Sequence, residues 1–302
     1  MSPDKTYPFN PSTDIPSLSG KVILITGANT GLGKATAIEL SKHSPAHIYL
    51  TSRNSTKGNA ALNEVKSVAS EGTKTFRALK ASRRPQGDFL KQQDRLDVLL
   101  LNAGVMGAPP VLTKDGYEAH MGTNHLGHAL LFKLFQHTLQ KTAATGADVR
   151  VIHLSSAGFR HVGPAGIEFE TLKSATSETS LPLRYAQSKL ACLLYAREAA
   201  KRIANIKNIA INPGEVDTEL FTREPGDDHM KMLQKEIAPK VVGPISEGVK
   251  NHLWATTSLD IENGEFYEPV GQTGGLEGHG LDDEMARKLW EWTEEQLKDQ
   301  SL

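Results

Sequence analysis

The segment Tyr185-Ala-Gln-Ser-Lys189 sets a phenol and an ammonium four residues apart. The apolar periodicity of residues 184–203 predicts a helix, on which the two side chains share one face. A free phenol ionises at about pH 10, too high for a good base at neutral pH. A neighbouring ammonium stabilises the phenolate and lowers that value. Such a pair can take a proton from an alcohol or give one to a carbonyl oxygen. Alone the spacing is a weak signal, because Tyr-x-x-x-Lys pairs occur on many solvated helices. Ser155-Ser156 follows the strand-like run Val149-Arg-Val-Ile-His-Leu154. That is the carboxyl end of a strand, where α/β sheets bind ligands, and a hydroxyl there can hold a substrate oxygen beside Tyr185. No Gly-x-Ser-x-Gly elbow surrounds these serines, so a serine hydrolase is unsupported.

A second signal is the turn Thr26-Gly27-Ala28-Asn29-Thr30-Gly31-Leu32-Gly33, between the apolar run Val22-Ile-Leu-Ile25 and a helix-like stretch from Leu32 to His43. Gly27 permits a tight turn, Gly31 lets the backbone approach a pyrophosphate, and Gly33 lets the helix pack on the strand. The free N–H groups of the helix start favour an anion. Asn29 and Leu32 lie in the same turn and join the candidate cofactor-binding set. The next strand ends in Thr51-Ser52-Arg53-Asn54. An acid there would favour NAD through the ribose 2′-hydroxyl. Arg53, with Lys34 in the glycine motif, suits a 2′-phosphate and favours NADP(H).

The elements that must position these groups alternate along the chain. Strand-like runs stand at Val22–Ile25, Ile48–Thr51, Val98–Leu101, Val149–Leu154 and Ile209–Ile211. Helix-like stretches fall at 59–69, 116–140, 184–203 and 282–297. This order predicts one parallel sheet covered on both faces, a single doubly wound α/β domain of Rossmann type. The domain is expected over residues 18–302, after a flexible leader at 1–17, with a mobile glycine-rich loop at 271–280. The C-terminal segment is expected to cover the substrate side. With 34 basic and 35 acidic residues, nothing suggests a grip on nucleic acid. Cys192 is the single cysteine, which excludes an internal disulfide and fits a reducing compartment. No secretory signal and no apolar run of membrane-spanning length is visible, so the chain reads as soluble and cytoplasmic.

In combination these motifs resemble the short-chain dehydrogenase/reductase family, in its retinol-dehydrogenase-like branch, over residues 18–218. Thr26-Gly27-x-x-x-Gly31-x-Gly33 looks like the family's cofactor turn and Asn102-Ala103-Gly104 like the motif after its fourth strand. Asn124-His125-Leu126-Gly127-His128 is similar to its Asn-containing helix motif. Ser155-Ser156, Tyr185-x-x-x-Lys189 and Pro213-Gly214-x-Val216-x-Thr218 also match. The resemblance implies a catalytic set of Asn124, Ser156, Tyr185 and Lys189, with Asn124 positioning a water beside Lys189. It implies that Lys189 also bonds the nicotinamide ribose, that Asn102 lies along the cofactor, and that Val216 and Thr218 contact the nicotinamide. It gives His125 and His128 a packing role, and no metal is expected. A small-molecule partner follows, a lipophilic alcohol or carbonyl, and a homo-oligomer is open.

One segment departs from the family pattern. Where an acid usually bonds the adenine amino group, this chain has Phe76-Arg-Ala-Leu-Lys80, and a helix shortened by Pro85 and Gly87 is expected to follow. Either adenine recognition is rebuilt locally or the cofactor pocket is weakened. The rival to an NADP(H)-linked oxidoreductase is therefore a non-catalytic nucleotide-binding or interaction protein on the same fold. An enzyme recruited for epimerisation or dehydration is a third reading.

Overall fold

The computed structural model describes residues 8–73, 75–80, 85–175, 179–217, 231–232, 235, 239 and 242–300. Among these, seven strands form one parallel sheet in the order β3-β2-β1-β4-β5-β6-β7. They are β1 Val22–Ile25, β2 His47–Ser52, β3 Thr75–Lys80, β4 Val98–Leu101, β5 Arg150–Leu154, β6 Lys207–Ile211 and β7 Phe266–Tyr267. The unbroken apolar runs have a simple cause. Val22, Leu24, Leu99 and Leu101 point into one core cluster, whereas Ile23, Ile25, Val98 and Leu100 point into the other. Both faces of β1 and β4 are buried, and both strands are apolar throughout.

Helices α2 (Gly31–Ser41) and α3 (Ser55–Val68) cover the second face, after a single-turn α1 (Pro11–Asp14). Helices α4 (Pro85–Leu90), α5 (Gly127–Ala143) and α6 (Leu181–Arg202) cover the first. α7 (Ile245–Thr257) returns to the second face, and α8 (Asp283–Gln296) packs outside α6. The Tyr195 and Trp290 rings stack at 4.7 Å, and Lys133 Nζ lies 2.7 Å from Glu294 Oε2. α8 therefore braces α5 and α6, not the substrate side as expected. α4 is indeed short, but Pro85 begins it instead of breaking it, since a first-turn proline lacks only an N–H that would be unpaired anyway. Phe89 anchors this helix between Tyr49 and Phe135, with ring centroids at 4.7 and 5.0 Å. No helix among the described residues is long and apolar enough to cross a membrane.

Three further expectations change. Residues 8–17 are not a flexible leader: the Asn10 side chain caps α1, and Phe9 and Ile15 are buried in the second cluster. Residues 1–7 lie outside the described part. The single helix expected from Gly116 starts later, because an antiparallel bridge pairs Leu112 with Glu118 first. A π-helical turn, Met121–Leu126, then leads into α5. The loop at 271–280, expected to be mobile, is tied down by Glu268–Gln272 backbone pairing and by an Arg160 bond to the Gly275 carbonyl.

The packing encloses His120, His125, His128, His153 and His252, and in the last four burial shifts the titration. Burial is the main cause that pushes His125 and His128 down to about 3 and His153 and His252 to about 4, so all four are neutral in the fold. In the unfolded chain they titrate at about 6.5. Between those values the unfolded state binds more protons. The stability they contribute is thus complete above about pH 6.5 and is lost as pH falls toward 4. Each histidine adds a slope of up to about 1.4 kcal/mol per pH unit in that window. Denaturant unfolding followed from neutral to mildly acidic pH should show this decline, and a stability unchanged over that range would contradict it. Ile15→Ala should destabilise the protein by about 2–4 kcal/mol. A change below about 0.5 kcal/mol, the usual surface value, would restore the flexible leader.

Candidate active site

A cavity of about 980 Å³ opens at the carboxyl edge of the sheet. Ten of the expected site residues line it: Gly27, Asn29, Gly31, Leu32, Arg53, Asn102, Ser156, Tyr185, Lys189 and Val216. Gly33 and Asn124 stand behind its wall, and Thr218 lies outside the described residues. The β1–β4 and β4–β5 pairings bring the three strand ends side by side. Motifs separated by more than a hundred residues meet there.

At one end is the turn after β1. A Cβ on Gly27 would come within 2.8 Å of Ala103 Cα, and one on Gly33 would collide with the Asn102 amide nitrogen. The turn is thus packed against the backbone of the loop after β4, and the start of α2 against the turn and the Asn102 side chain, with no room for a Cβ. Asn102 Nδ2 donates to the Thr26 carbonyl at 2.8 Å, and Ala103 N donates to Thr26 Oγ1 at 2.9 Å. His252 is neutral, and its Nε2 lies 3.2 Å from Asn102 Oδ1, where it donates. Both ends of the Asn102 amide are thereby spent on the protein, making it a brace for the turn. The Thr30 side chain does not cap α2, which leaves N–H groups at this helix start to face an anion.

Arg53 is exposed at the end of β2 and lines the cavity together with Lys57 on the first turn of α3. Asn54 Oδ1 accepts from Lys57 N at 3.0 Å and caps that helix, which fixes where Lys57 stands. Lys34, expected to add positive charge here, instead pairs with Glu64 at 2.8 Å and does not line the cavity. The signal for Lys57 was the asparagine cap three residues before it, in sequence directly after Arg53.

At the other end Lys189 is only 3% exposed. Its Nζ donates to the Leu154 carbonyl at 2.9 Å and lies 5.7 Å from the Tyr185 ring centre. The two serines divide their roles. Both line the cavity, but Ser155 is buried and donates to the Lys189 carbonyl at 2.8 Å, whereas Ser156 accepts from Gly158 N at 3.1 Å. A Cβ on Gly158 would be 3.3 Å from both Ser156 Oγ and Tyr185 Cε1, so these side chains border one small volume.

Asn124 is 1% exposed. Its Nδ2 donates to Val105 O at 3.1 Å and Ser188 Oγ at 2.9 Å, and its Oδ1 accepts from Val105 N at 2.8 Å. The side chain therefore ties the loop after β4 to α6. Its carbonyl accepts from His128 Nδ1 at 3.0 Å and Cys192 Sγ at 3.1 Å. With its proton on Nδ1, His128 accepts from Thr26 Oγ1 at 3.1 Å through Nε2. His128 thus joins the two ends of the cavity. A further group absent from the sequence reading stands behind Tyr185. His120 donates to Glu118 Oε1 at 2.8 Å and meets the Tyr185 ring edge-on at 6.2 Å. Burial pushes the Glu118 carboxyl up, but the bonds from His120 and Met121 N outweigh it and hold the group below its usual value.

Over 283 residues the chain is 35% identical to mouse (Mus musculus) retinol dehydrogenase 11, covering 91% of this chain and 85% of that protein. It is 32% identical to an uncharacterised oxidoreductase of Schizosaccharomyces pombe, over 95% of this chain and 87% of that one. Among solved structures, a protein from Mycobacterium Paratuberculosis superposes with a TM-score of 0.72 at 28% identity, covering 96% of this chain and 97% of the other. The Pseudomonas aeruginosa RhlG/NADP complex shares the fold, with a TM-score of 0.65 at 20% identity, over 88% of this chain and 98% of that one. The family profile described as short chain dehydrogenase matches residues 21–228, and the chain belongs to the short-chain dehydrogenase/reductase family of oxidoreductases.

Proposed function

We propose that this chain is an NADP(H)-dependent oxidoreductase that interconverts an alcohol and a carbonyl. The carrying observation is that Tyr185, Lys189 and Ser156 face the same cavity as the glycine turn and Arg53. The residues fit a nicotinamide dinucleotide: Gly27 and Gly33 leave no room for a Cβ, and the α2 start offers free N–H groups. When bound, that cofactor supplies or accepts the hydride. Gly27, Asn29, Gly31 and Leu32 hold its pyrophosphate, while Arg53 and Lys57 favour a 2′-phosphate over a bare hydroxyl.

The protein handles the proton. Tyr185 gives its hydroxyl proton to the substrate oxygen in reduction and takes it back in oxidation. Lys189 stabilises the phenolate through its charge in a site shielded from water. Ser156 holds the substrate oxygen by a hydrogen bond. Asn124 acts from behind as a positioning residue, fixing Val105 to Ser188. Val216 flanks the nicotinamide end. The apolar lining from Val105, Met106 and Val216 and the kinship with retinol dehydrogenases support a lipophilic substrate.

Arg53→Ala should weaken NADPH binding by about tenfold or more and leave NADH nearly unchanged, as read by fluorescence titration. Equal affinity of the unaltered protein for the two nucleotides would overturn the NADP(H) assignment. Tyr185→Phe should lower kcat by about a hundredfold to ten-thousandfold in a carbonyl-reduction assay while NADPH affinity stays close to that of the parent. Turnover at the parent rate in this variant would remove Tyr185 from the chemistry.

A further inference from the structure

Arg160 lies on the 3-10 turn Ala157–His161, four residues beyond Ser156. Its guanidinium reaches the segment after β7. Nη2 donates to Glu268 Oε1 and to the Gly275 carbonyl, each at 2.6 Å, and Nε lies 2.8 Å from Glu277 Oε1. The guanidinium also rests 4.9 Å from the Phe159 ring centre. The second Glu268 oxygen, Oε2, accepts from Asn212 Nδ2 at 2.5 Å, and Asn212 Oδ1 accepts from Gly214 N at 3.1 Å. One hydrogen-bonded chain thus runs from the turn after Ser156, through the loop after β7, to the cavity-lining segment Pro213–Val216.

An exposed ion pair would carry little weight. This one is partly enclosed, with the Arg160 and Glu268 side chains 26% and 20% exposed and Asn212 only 5% exposed. Its polarity also matters. A carboxylate only accepts, so Glu268 forces Asn212 to present Nδ2 to it and Oδ1 to Gly214 N. Turned the other way, the Asn212 amide would set oxygen against carboxylate and N–H against N–H. The charge of Glu268, held by Arg160, therefore sets how Gly214 is gripped. The rest of Asn212 is already fixed, since its N donates to the Tyr267 carbonyl and its carbonyl accepts from Asn251 Nδ2 at 2.6 Å.

We infer that Arg160 and Glu268 are positioning residues that act through Asn212 to set the Pro213–Val216 segment, and with it the nicotinamide end of the bound cofactor. The inference rests on the cofactor reading above. It separates the two halves of the site. The adenine half is gripped by the turn after β1 and by Arg53, far along the cavity, and is independent of this chain of bonds.

The experiment uses the full-length protein with two probes. NADPH reports the nicotinamide end through the emission of its reduced ring, and adenosine 2′,5′-bisphosphate reports the adenine end alone. Glu268→Gln should weaken NADPH binding by about three- to tenfold and remove about half or more of the emission enhancement. With its oxygen kept on Arg160, the introduced amide turns its NH2 group, a donor, toward Asn212 Nδ2. The affinity for adenosine 2′,5′-bisphosphate should stay within about twofold, which also shows that the variant is folded. Adding Asn212→Asp should restore the emission, since an aspartate can accept from both the introduced amide and Gly214 N. Arg160→Lys, at the far end of the chain, should move the same signal in the same direction and serves if Glu268→Gln does not fold. An emission signal unchanged in Glu268→Gln and Arg160→Lys, or not restored in the double variant, overturns the inference. A parent protein that binds no NADPH overturns the cofactor reading instead.

Discussion

The ammonium of Lys189 is the constraint around which the rest of the structure is arranged. A charge that is 3% exposed is expensive to keep from water unless it is met by oriented dipoles. The Leu154 carbonyl at the end of β5 is one such dipole, and the electron-rich face of the Tyr185 ring adds a cation–π contact. For both to reach Nζ, α6 must cross the end of β5 at a fixed depth. Ser155, the residue directly after Leu154, holds that depth by donating to the carbonyl of Lys189 itself. Asn124 holds the neighbouring residue, Ser188, from the other side. Parallel strand order supplies the frame, because β4 and β5 end side by side and deliver their loops to the same edge.

Electrostatics along the cavity then divide naturally. The end at the glycine turn is positive, from the α2 start with Arg53 and Lys57. The end at Tyr185 already holds one buried cation, Lys189, so any further positive charge beside it would be repelled. His128 touches both ends and is neutral, and the charge of Lys189 is one of the causes that lower its pKa after burial. Its neutrality lets it accept from Thr26 and donate to the Asn124 carbonyl at once. A protonated ring could not accept from Thr26, and the link between the ends would break. The pH dependence of stability and the integrity of the site are, at this residue, the same fact.

Much of this was legible in the sequence for a physical reason. Buried parallel strands must be apolar on both faces, so β1, β4 and the core of β2 appear as short unbroken runs. The glycine turn is legible because its contacts exclude a Cβ, and the Tyr185/Lys189 spacing because a helix fixes it. What escaped follows the same logic in reverse. α7 buries Asn251, His252, Thr256 and Thr257, and the partners of Asn251 and His252 are groups far away in sequence, so its inward face does not look apolar. β7 has two residues, too few to show a period. Lys34 looked like a phosphate ligand, but only the fold reveals Glu64 opposite it. Phe9 and Ile15 sit among polar neighbours and gave no periodic signal, yet the second face of the sheet needs them to close its edge.

α8 touches no part of the cavity, yet it determines how firmly α6 is held. Trp290 stacks on Tyr195, Thr293 bonds His125, and Arg197 reaches both the Gly280 carbonyl and Asp283. These contacts load the far half of α6 and the turn that carries Asn124. The near half, with Tyr185, begins at Ser180 with no capping side chain. There Arg184 bonds the Thr179 carbonyl and lies beside Glu118, which in turn holds His120 against Tyr185. α6 is therefore gripped at both ends by groups that do not line the cavity. A helix so held can present a phenol at a constant distance from the Ser156 hydroxyl, whatever occupies the space between them.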